Sequence, residues 1–255
     1  AGASGQIGLE LLKNAPPDGY TIGQGQGGNL VVAPHTYKKL PYDPLKDFAP
    51  VALNVTNYAA VAANPNTPFK TAAEMIAWAK ANPGKLTVAT NGEGGFPHLA
   101  FERLAVMGGF NFLHVPYKGA AQIVADMIGG QVQLGIGSYS ALSPHVQSGR
   151  VRLIAVTNPV HVPNKPELPI FTDAVPGYDM RGWFGYIAPA ATPGDIVRRL
   201  NAEINRAIGM PDIAEKLVAA GLIIVTESPE FFGELIKNDY AKYGKLVRDI
   251  GFQPQ

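Results

Sequence analysis

Apolar positions in this chain switch repeatedly between alternation and a spacing of three and four, which predicts short strands and helices in turn. From Gly5 to Asn14, Ile7, Leu9, Leu11 and Leu12 predict a helix that Pro16–Pro17 ends. Asp18–Gly19 is a turn, and Tyr20–Gly23 opens a short strand. Val51–Asn54 and Tyr58–Ala63 read as strands. Thr71–Asn82 reads as a helix, with Thr71 and Glu74 as a capping box and Met75, Ile76 and Ala79 on one face. Next come a strand at Leu86–Ala89, a glycine-rich turn at Thr90–Gly95 and a helix at Pro97–Met107; proline suits a first helical turn, where its missing N–H costs nothing. The alternation continues with strand Phe112–Val115, helix Ala120–Ile128, strand Val132–Ile136, a short helix at Leu142–Gln147 and strand Val151–Val156. A proline-rich connection over residues 159–176 leads to the apolar strand Trp183–Ala188.

Thr192-Pro193-Gly194-Asp195 is a second capping signature, opening a helix through Ile208 with Ile196, Val197, Leu200 and Ile204 inward. Ile213–Ala220 is a helix with Gly221 at its C-cap position, and Leu222–Val225 is a strand. Ser228–Pro229 starts the last helix, whose Phe232, Leu235, Ile236, Tyr243, Leu246 and Val247 form a docking face. Strands alternating with helices in this way predict α/β architecture with largely parallel sheets.

Composition narrows the function by exclusion. A net charge of +1, with Lys and Arg clustered only in pairs such as Lys38–Lys39 and Arg198–Arg199, gives no footprint for nucleic acid. No apolar run approaches the ~20 residues that span a bilayer. With no cysteine, the chain has neither a disulfide framework nor a thiolate nucleophile. Glycine and proline are spread between periodic segments, so the loops are folded and not low-complexity. The opening AGASGQIG is loop sequence, without the regions of a signal peptide.

Two glycine clusters carry the candidate chemistry. Gly23-x-Gly25-x-x-Gly28 matches a dinucleotide fingerprint as a string, but Pro34 and Pro41 interrupt the place where a crossover helix belongs. A glycine-rich surface turn is the plainer reading, and a ligand-lining loop the third. In Thr90–Gly95, Gly92, Gly94 and Gly95 leave backbone amides uncovered in front of a helix N-terminus, the arrangement that binds anions. The plain alternative there is a tight strand-to-helix turn; a nucleotide P-loop is excluded because no Gly-Lys-Ser/Thr follows. His98 stands where it can donate to a ligand or to the loop backbone. A satisfied structural role is the plainer reading for it, as for His35, His114, His145 and His161. Catalysis finds little footing: Gly2-Ala3-Ser4-Gly5-Gln6 only approaches a nucleophile elbow, and no metal-ligand spacing occurs. Ser138, Ser140 and Ser143 follow a strand, but no motif positions a base beside them.

Several long stretches share one pattern: PDGYTIGQGQGG, YKKLPYDPLKDFAPVALN, ANPGKLTVATNGEGGFPHLAFERL, HVPYKGAAQIVADMIGGQVQLGIG and WFGYIAPAATPGDIVRRLNAEI. In this order they resemble the Bug-type (TctC-like) extracytoplasmic receptors of tripartite tricarboxylate transporters, over essentially the whole chain. The resemblance implies a periplasmic, two-lobed binding protein of type II (Venus flytrap), α/β in both lobes. Residues 1–62 and 188–255 would form the first lobe and residues 63–187 the second. It implies a small organic carboxylate held in an interlobe cleft, closure favoured by ligand that bridges the lobes, and delivery to membrane permease subunits. No cofactor, catalytic residue or metal is implied, and the receptor is expected to act as a monomer. The family's carboxylate-holding pattern, Ser-Ser-Gly-x-Gly-Thr-x-x-His, falls on Thr90, Asn91, Gly92, Glu93, Gly94, Gly95, Phe96, Pro97 and His98. Gln26, Gly27 and Asn29 of the first lobe, with Ser138 and Tyr139, would line the facing wall.

Departures from the pattern bear on the ligand. Gly95 stands where a threonine is usual, Phe96 adds an aromatic face, and Glu93 brings a negative charge near the loop. Gly137, Ser138 and Tyr139 follow the strand after which the family often has an acidic residue. Together these favour a monocarboxylate with an apolar or aromatic body over a small tricarboxylate. Ala1–Gly5 aligns with a segment that follows the family's first strand and Pro-Gly-Gly loop, so both are expected to be missing here. The competing readings are an enzyme acting on an anionic substrate at Thr90–Gly95 and an effector-sensing domain of a transcription regulator.

Overall fold

Helix starts follow side-chain chemistry in two places and backbone geometry in the rest. A computed structural model describes residues 5–254, so Ala1–Ser4, including most of the elbow-like Gly2–Gln6 string, lie outside the described residues. Helix α1 spans Gln6–Lys13, and strand β1 covers Gly23–Gln26. A π-helical turn at Gly28–Val32 runs into the short α2, Ala33–Thr36. Strands β2, Phe48–Asn57, and β3, Ala59–Ala63, precede α3, Ala72–Ala81. The Thr71 hydroxyl accepts from the Glu74 amide at 3.2 Å, as a capping box requires. The Glu74 carboxylate, however, takes the N–H of Lys70 at 2.6 Å and not that of Thr71.

Three further strand–helix steps and a closing strand follow. These are β4 (Thr87–Thr90), α4 (Phe96–Gly108), β5 (Leu113–Pro116), α5 (Ala120–Ile128), β6 (Leu134–Ser138), α6 (Tyr139–Gln147) and β7 (Arg152–Val156). Then come a 3₁₀ turn at Phe171–Asp173, β8 (Gly182–Pro189), α7 (Gly194–Ile208), α8 (Pro211–Ala219), β9 (Ile223–Ile224) and α9 (Pro229–Asp249). Ser228 caps α9 by accepting from the Phe231 amide at 3.2 Å. Thr192 does not cap α7 as expected: its hydroxyl turns back to Pro189 O at 2.8 Å, and Pro193 is the N-cap.

The chain divides into two compact units, residues 1–57 with 182–255, and residues 58–181. The edges expected at 62/63 and 187/188 fall a few residues earlier because β3 pairs wholly within the second unit and β8 wholly within the first. In the first unit the sheet order is β1-β8-β2-β9, and every pairing is antiparallel. The expected parallel order fails here because β8 lies between β1 and β2 and runs against both. Val51, Ala52, Ala188 and Val197 form one buried cluster of this unit, with Leu200 and Ile204 of α7 packed on it. Phe232, Ile236, Tyr243, Leu246 and Val247 of α9 are buried, as the periodicity requires. Asp239 is buried among them, its carboxylate accepting from the Trp183 indole at 2.8 Å and paired with Lys242 at 2.6 Å.

The second unit carries a five-stranded sheet of order β5-β4-β6-β3-β7. β5, β4 and β6 are parallel, whereas β3 runs antiparallel to both β6 and β7. Leu86, Val88, Leu99, Phe101, Leu104, Met127 and Ile136 are buried in its core, and the buried Tyr178 donates to Ala100 O at 2.9 Å.

The Gly23-x-Gly25 string has a packing explanation. A Cβ on Gly23 would lie 2.7 Å from Leu12 of α1, and one on Gly25 would lie 2.5 Å from Leu30. The expected turn is therefore a strand whose glycines admit neighbouring leucines, and its antiparallel pairing with β8 removes the dinucleotide reading. The same close approach recurs at buried Gly185, where a Cβ would meet Phe232 at 2.4 Å and Ala52 O at 2.8 Å. Gly185→Ala is expected to destabilise the protein by about 1–3 kcal/mol. Chemical denaturation measures this, and an unchanged midpoint would show that the β8–α9 packing is looser than described.

Candidate functional site

Parallel strands joined by helices start every following helix at one edge of their sheet, and ligands of open α/β sheets bind outside that carboxyl edge. In the second unit β4, β5 and β6 end there; β4 and β5 lead through a turn to the N-termini of α4 and α5, and β6 runs straight into α6. Because β3 is antiparallel, its first residue, Ala59, pairs with Ser138 at the same edge. Met180 joins this edge through its N–H, which donates to Thr157 O beyond the end of β7. Both ends of the unit's chain therefore lie where the helix N-termini gather.

The β4–α4 turn is shaped from within. Gly92 and Gly94 have φ of 100° and 69°, a region that side-chain-bearing residues rarely adopt. Gly95, the N-cap of α4, is extended (φ −77°, ψ 167°), and a Cβ there would meet only ordinary contacts. A threonine at Gly95 would fit, so its absence is not imposed by space. No hydrogen bond takes up the N–H of Gly95 or Phe96 among the described residues, leaving them as orphan donors of the helix start. Asn91 and Glu93 are exposed, so the Glu93 charge stands in solvent and not under the turn.

Two other groups expected to face a ligand are committed inside the turn. Thr90 is fully buried; its hydroxyl donates to Gly92 O at 2.9 Å and meets His114 Nε2 at 2.7 Å. A hydroxyl has one proton, so with that proton on Gly92 O the imidazole N–H of His114 donates to Thr90 Oγ1. The Gly94 N–H donates to His98 Nδ1 at 3.0 Å. His98 thus accepts from the loop backbone, where donation was expected, and its Nε2 lies 3.2 Å from Glu102 Oε1. The two imidazoles stack with centroids 3.8 Å apart and planes 10° apart. Burial, with the nearby His98, pushes the His114 imidazole down to about 4, against a smaller opposing pull from Glu102. The sequence carried no sign of this stack, because His114 reaches Thr90 through the parallel pairing of β5 with β4.

At the end of β6, Ser138 is exposed and is the N-cap of α6; its hydroxyl accepts only a long 3.4 Å contact from Ser140. Tyr139 is half-buried, its ring 5.7 Å from that of Tyr58 and 5.3 Å from the Lys165 ammonium. Burial, with Tyr139 and Glu167 nearby, raises the Tyr58 hydroxyl to about 12.

In the first unit, Gln26 closes β1 and its N–H donates to Asn29 Oδ1 at 3.0 Å, while Tyr42 donates to Asn29 O at 2.7 Å. Asn29 and Gly27 are buried, and Gln26 is half-buried. Asn29 therefore holds the turn after β1, leaving the Gln26 side chain as the more accessible polar group.

Elsewhere in the second unit, Asn64, Thr67, Ile128, Gly130 and Gln133 help line a cavity of about 280 Å³ at the opposite end of β6. The Asn64 carboxamide donates to Met127 O and Ile128 O, and Gln133 Oε1 accepts from Thr87 N, so these polar groups are already used. No described cluster of three or more His, Asp or Glu residues is placed to hold a metal. No described helix is long and apolar enough to cross a membrane.

The geometry yields a pH prediction. Folded His114 titrates below its ordinary 6.5, at about 4, so the unfolded chain binds the extra proton between these values. Its contribution to stability is complete above about 6.5 and is lost as pH falls toward about 4. An NMR titration that placed the His114 midpoint at or above 6.5 would contradict the buried stack.

Comparison with known proteins gives a consistent answer. Residues 1–252 match the model of the tripartite tricarboxylate transporter family receptor, TctC. A protein from the tcbD–tcbE intergenic region of Pseudomonas sp. strain P51 is 36% identical over 97% of this chain and 74% of its own length. Rpa4515 of R. palustris, solved with adipate, superposes with a TM-score of 0.84 at 30% identity, covering 100% of this chain and 85% of that one. MatC from Rhodopseudomonas palustris, solved with malate, gives 0.77 at 26% identity, covering 96% and 85%. The match along nearly the whole sequence and the shared fold agree: the chain belongs to the tripartite tricarboxylate transporter receptor (TctC) family.

Proposed function

We propose that the protein captures a small organic carboxylate at the carboxyl edge of its second-unit sheet and delivers it to the permease subunits of a tripartite transporter. Family membership makes the chain a solute receptor and not an enzyme, and the proposed site of action is the periplasm. The observation that carries the reading is the pair of orphan amides, Gly95 and Phe96, at the start of α4, with the N-terminus of α6 following the neighbouring strand β6. These N–H groups and the dipole behind them favour a carboxylate without a formal cation.

In this proposal Gly95 and Phe96 hold the carboxylate, Asn91 and Ser138 offer polar side chains beside it, and Tyr139 and Phe96 supply aromatic surface for an apolar body. Thr90, Gly92, Gly94 and His98 shape the turn. In the first unit, Asn29 fixes the turn after β1 that carries Gln26 and Gly27. The ligand class is a carboxylate on an apolar body, aliphatic or aromatic. The adipate of Rpa4515, four methylenes between two carboxylates, supports an aliphatic body.

A thermal-shift panel of adipate, malate, benzoate and citrate tests this. Ligand at about 100 times its dissociation constant adds roughly 2.7 kcal/mol of stability. Adipate or benzoate is expected to shift the melting temperature more than citrate. Gly94→Val, which places a branched residue at φ 69°, is expected to remove the shift, whereas exposed Glu93→Gln leaves affinity within about twofold. A response to citrate alone, or undiminished binding by Gly94→Val, would refute the assignment.

A further inference from the structure

An ammonium at the carboxyl edge of the second-unit sheet has no carboxylate partner. β6 and β7 both run against β3, so the segment after Val156 leaves the sheet at the edge where β6 ends. Its start is pinned to β3, because the Ala59 N–H donates to the buried Thr157 hydroxyl at 2.9 Å. Further on, the Lys165 N–H donates to Val162 O at 2.9 Å and closes a tight turn. From this turn the Lys165 side chain crosses to α6, where its Nζ lies 5.3 Å from the centroid of the Tyr139 ring. Tyr139 packs in turn against Tyr58, which is 4% exposed.

That placement is unfavourable unless the charge is used. Lysine loses much rotamer freedom when it is ordered, and its compact ammonium is strongly hydrated. A half-buried lysine is therefore expected to meet a carboxylate, yet no ion pair takes up Lys165 among the described residues. Glu167, two residues on, is exposed and does not pair with it. The face of Tyr139 attracts the ammonium as a cation–π contact but accepts no conventional hydrogen bond from its N–H groups. Tyr58 adds a donor beside it. Burial, with Tyr139 and Glu167 nearby, raises its hydroxyl to about 12, and no hydrogen bond takes up that proton among the described residues.

We propose that Lys165 is a specificity-determining residue, whose ammonium, held over Tyr139, contacts a second anionic group at the far end of the ligand. This rests on the reading of Gly95 and Phe96 above, which seats the first carboxylate at the start of α4. Sheet order sets the reach. Two strand spacings, ~10 Å in all, separate the end of β4 from the start of β3, where Tyr58 precedes Ala59. A ligand that makes both contacts needs an apolar chain long enough to hold its two charges apart. A monocarboxylate of the same length sets an apolar end against a hydrated ammonium and forfeits the second contact.

Adipate and hexanoate isolate the far-end charge, since they share a chain length and differ in one terminal carboxylate. Calorimetry compares their affinities in wild type and in Lys165→Met, which keeps an apolar stem over Tyr139 and removes the ammonium. Wild type is expected to bind adipate roughly tenfold more tightly than hexanoate, the scale of one hydrogen bond to a charged group. In Lys165→Met the adipate affinity is expected to fall to that of hexanoate. Hexanoate affinity and the melting temperature of the unliganded protein stay unchanged in that variant. Equal binding of the two acids by wild type, or a preference that survives in Lys165→Met, would overturn the role of Lys165 and leave Gly95 and Phe96 as the carboxylate site. Hexanoate affinity falling in step with that of adipate would also overturn it, because the lysine would then act by packing and not by charge. Failure of wild type to bind either acid would overturn the carboxylate reading itself, and the second contact with it.

Discussion

Parallel strand pairing in the second unit is the constraint on which the site depends. Parallel neighbours need a crossover between them, so the helices that follow β4, β5 and β6 all begin at one edge. That edge collects helix N-termini, and with them the backbone donors that no intrahelical acceptor reaches. Replacing this arrangement by antiparallel hairpins would pair strands equally well but would leave no concentration of amides. The first unit makes the contrast: its sheet is antiparallel throughout, and its one candidate turn, after β1, is held by the Asn29 side chain and not by a helix dipole behind a parallel strand.

The turn that offers the amides cannot hold itself. Glycines at φ 100° and 69° lower the strain of its shape but also make the unfolded alternatives numerous, so the native form needs fixed partners. Two histidines supply them. His114 meets Thr90, whose hydroxyl holds Gly92 O, and His98 holds the Gly94 N–H. Because the rings stack, displacing either one disturbs both anchors. Groups with hydrogen-bonding capacity beneath the turn thus fix the backbone that leads to the unpaired Gly95 and Phe96 amides. This also explains why Thr90 and His98, prominent in the motif, are buried in the structure.

Local signals were legible in the sequence, and tertiary ones were not. The caps at Thr71 and Ser228, the full span of α5 and the buried face of α9 follow from spacing and residue type alone. Thr192 shows the limit: its capping signature is genuine as a string, but Pro189 O lies closer to hand for its hydroxyl. β1 was hidden because Gly23 and Gly25 look like turn residues until Leu12 and Leu30 are seen above them. Strand direction was not encoded locally either, since β8 pairs with β1 and β2 across most of the chain's length. The motif of Thr90–His98 marks a turn at a helix start, but which of its members face inward depends on His114, a residue of another strand.

The most direct test is a crystal structure of the protein grown with adipate. The account predicts carboxylate oxygens within about 3 Å of the Gly95 and Phe96 nitrogens, with Gly94 still bonded to His98. A ligand seated instead in the cavity lined by Asn64 and Gln133, with the Gly95 and Phe96 amides left unengaged, would contradict it.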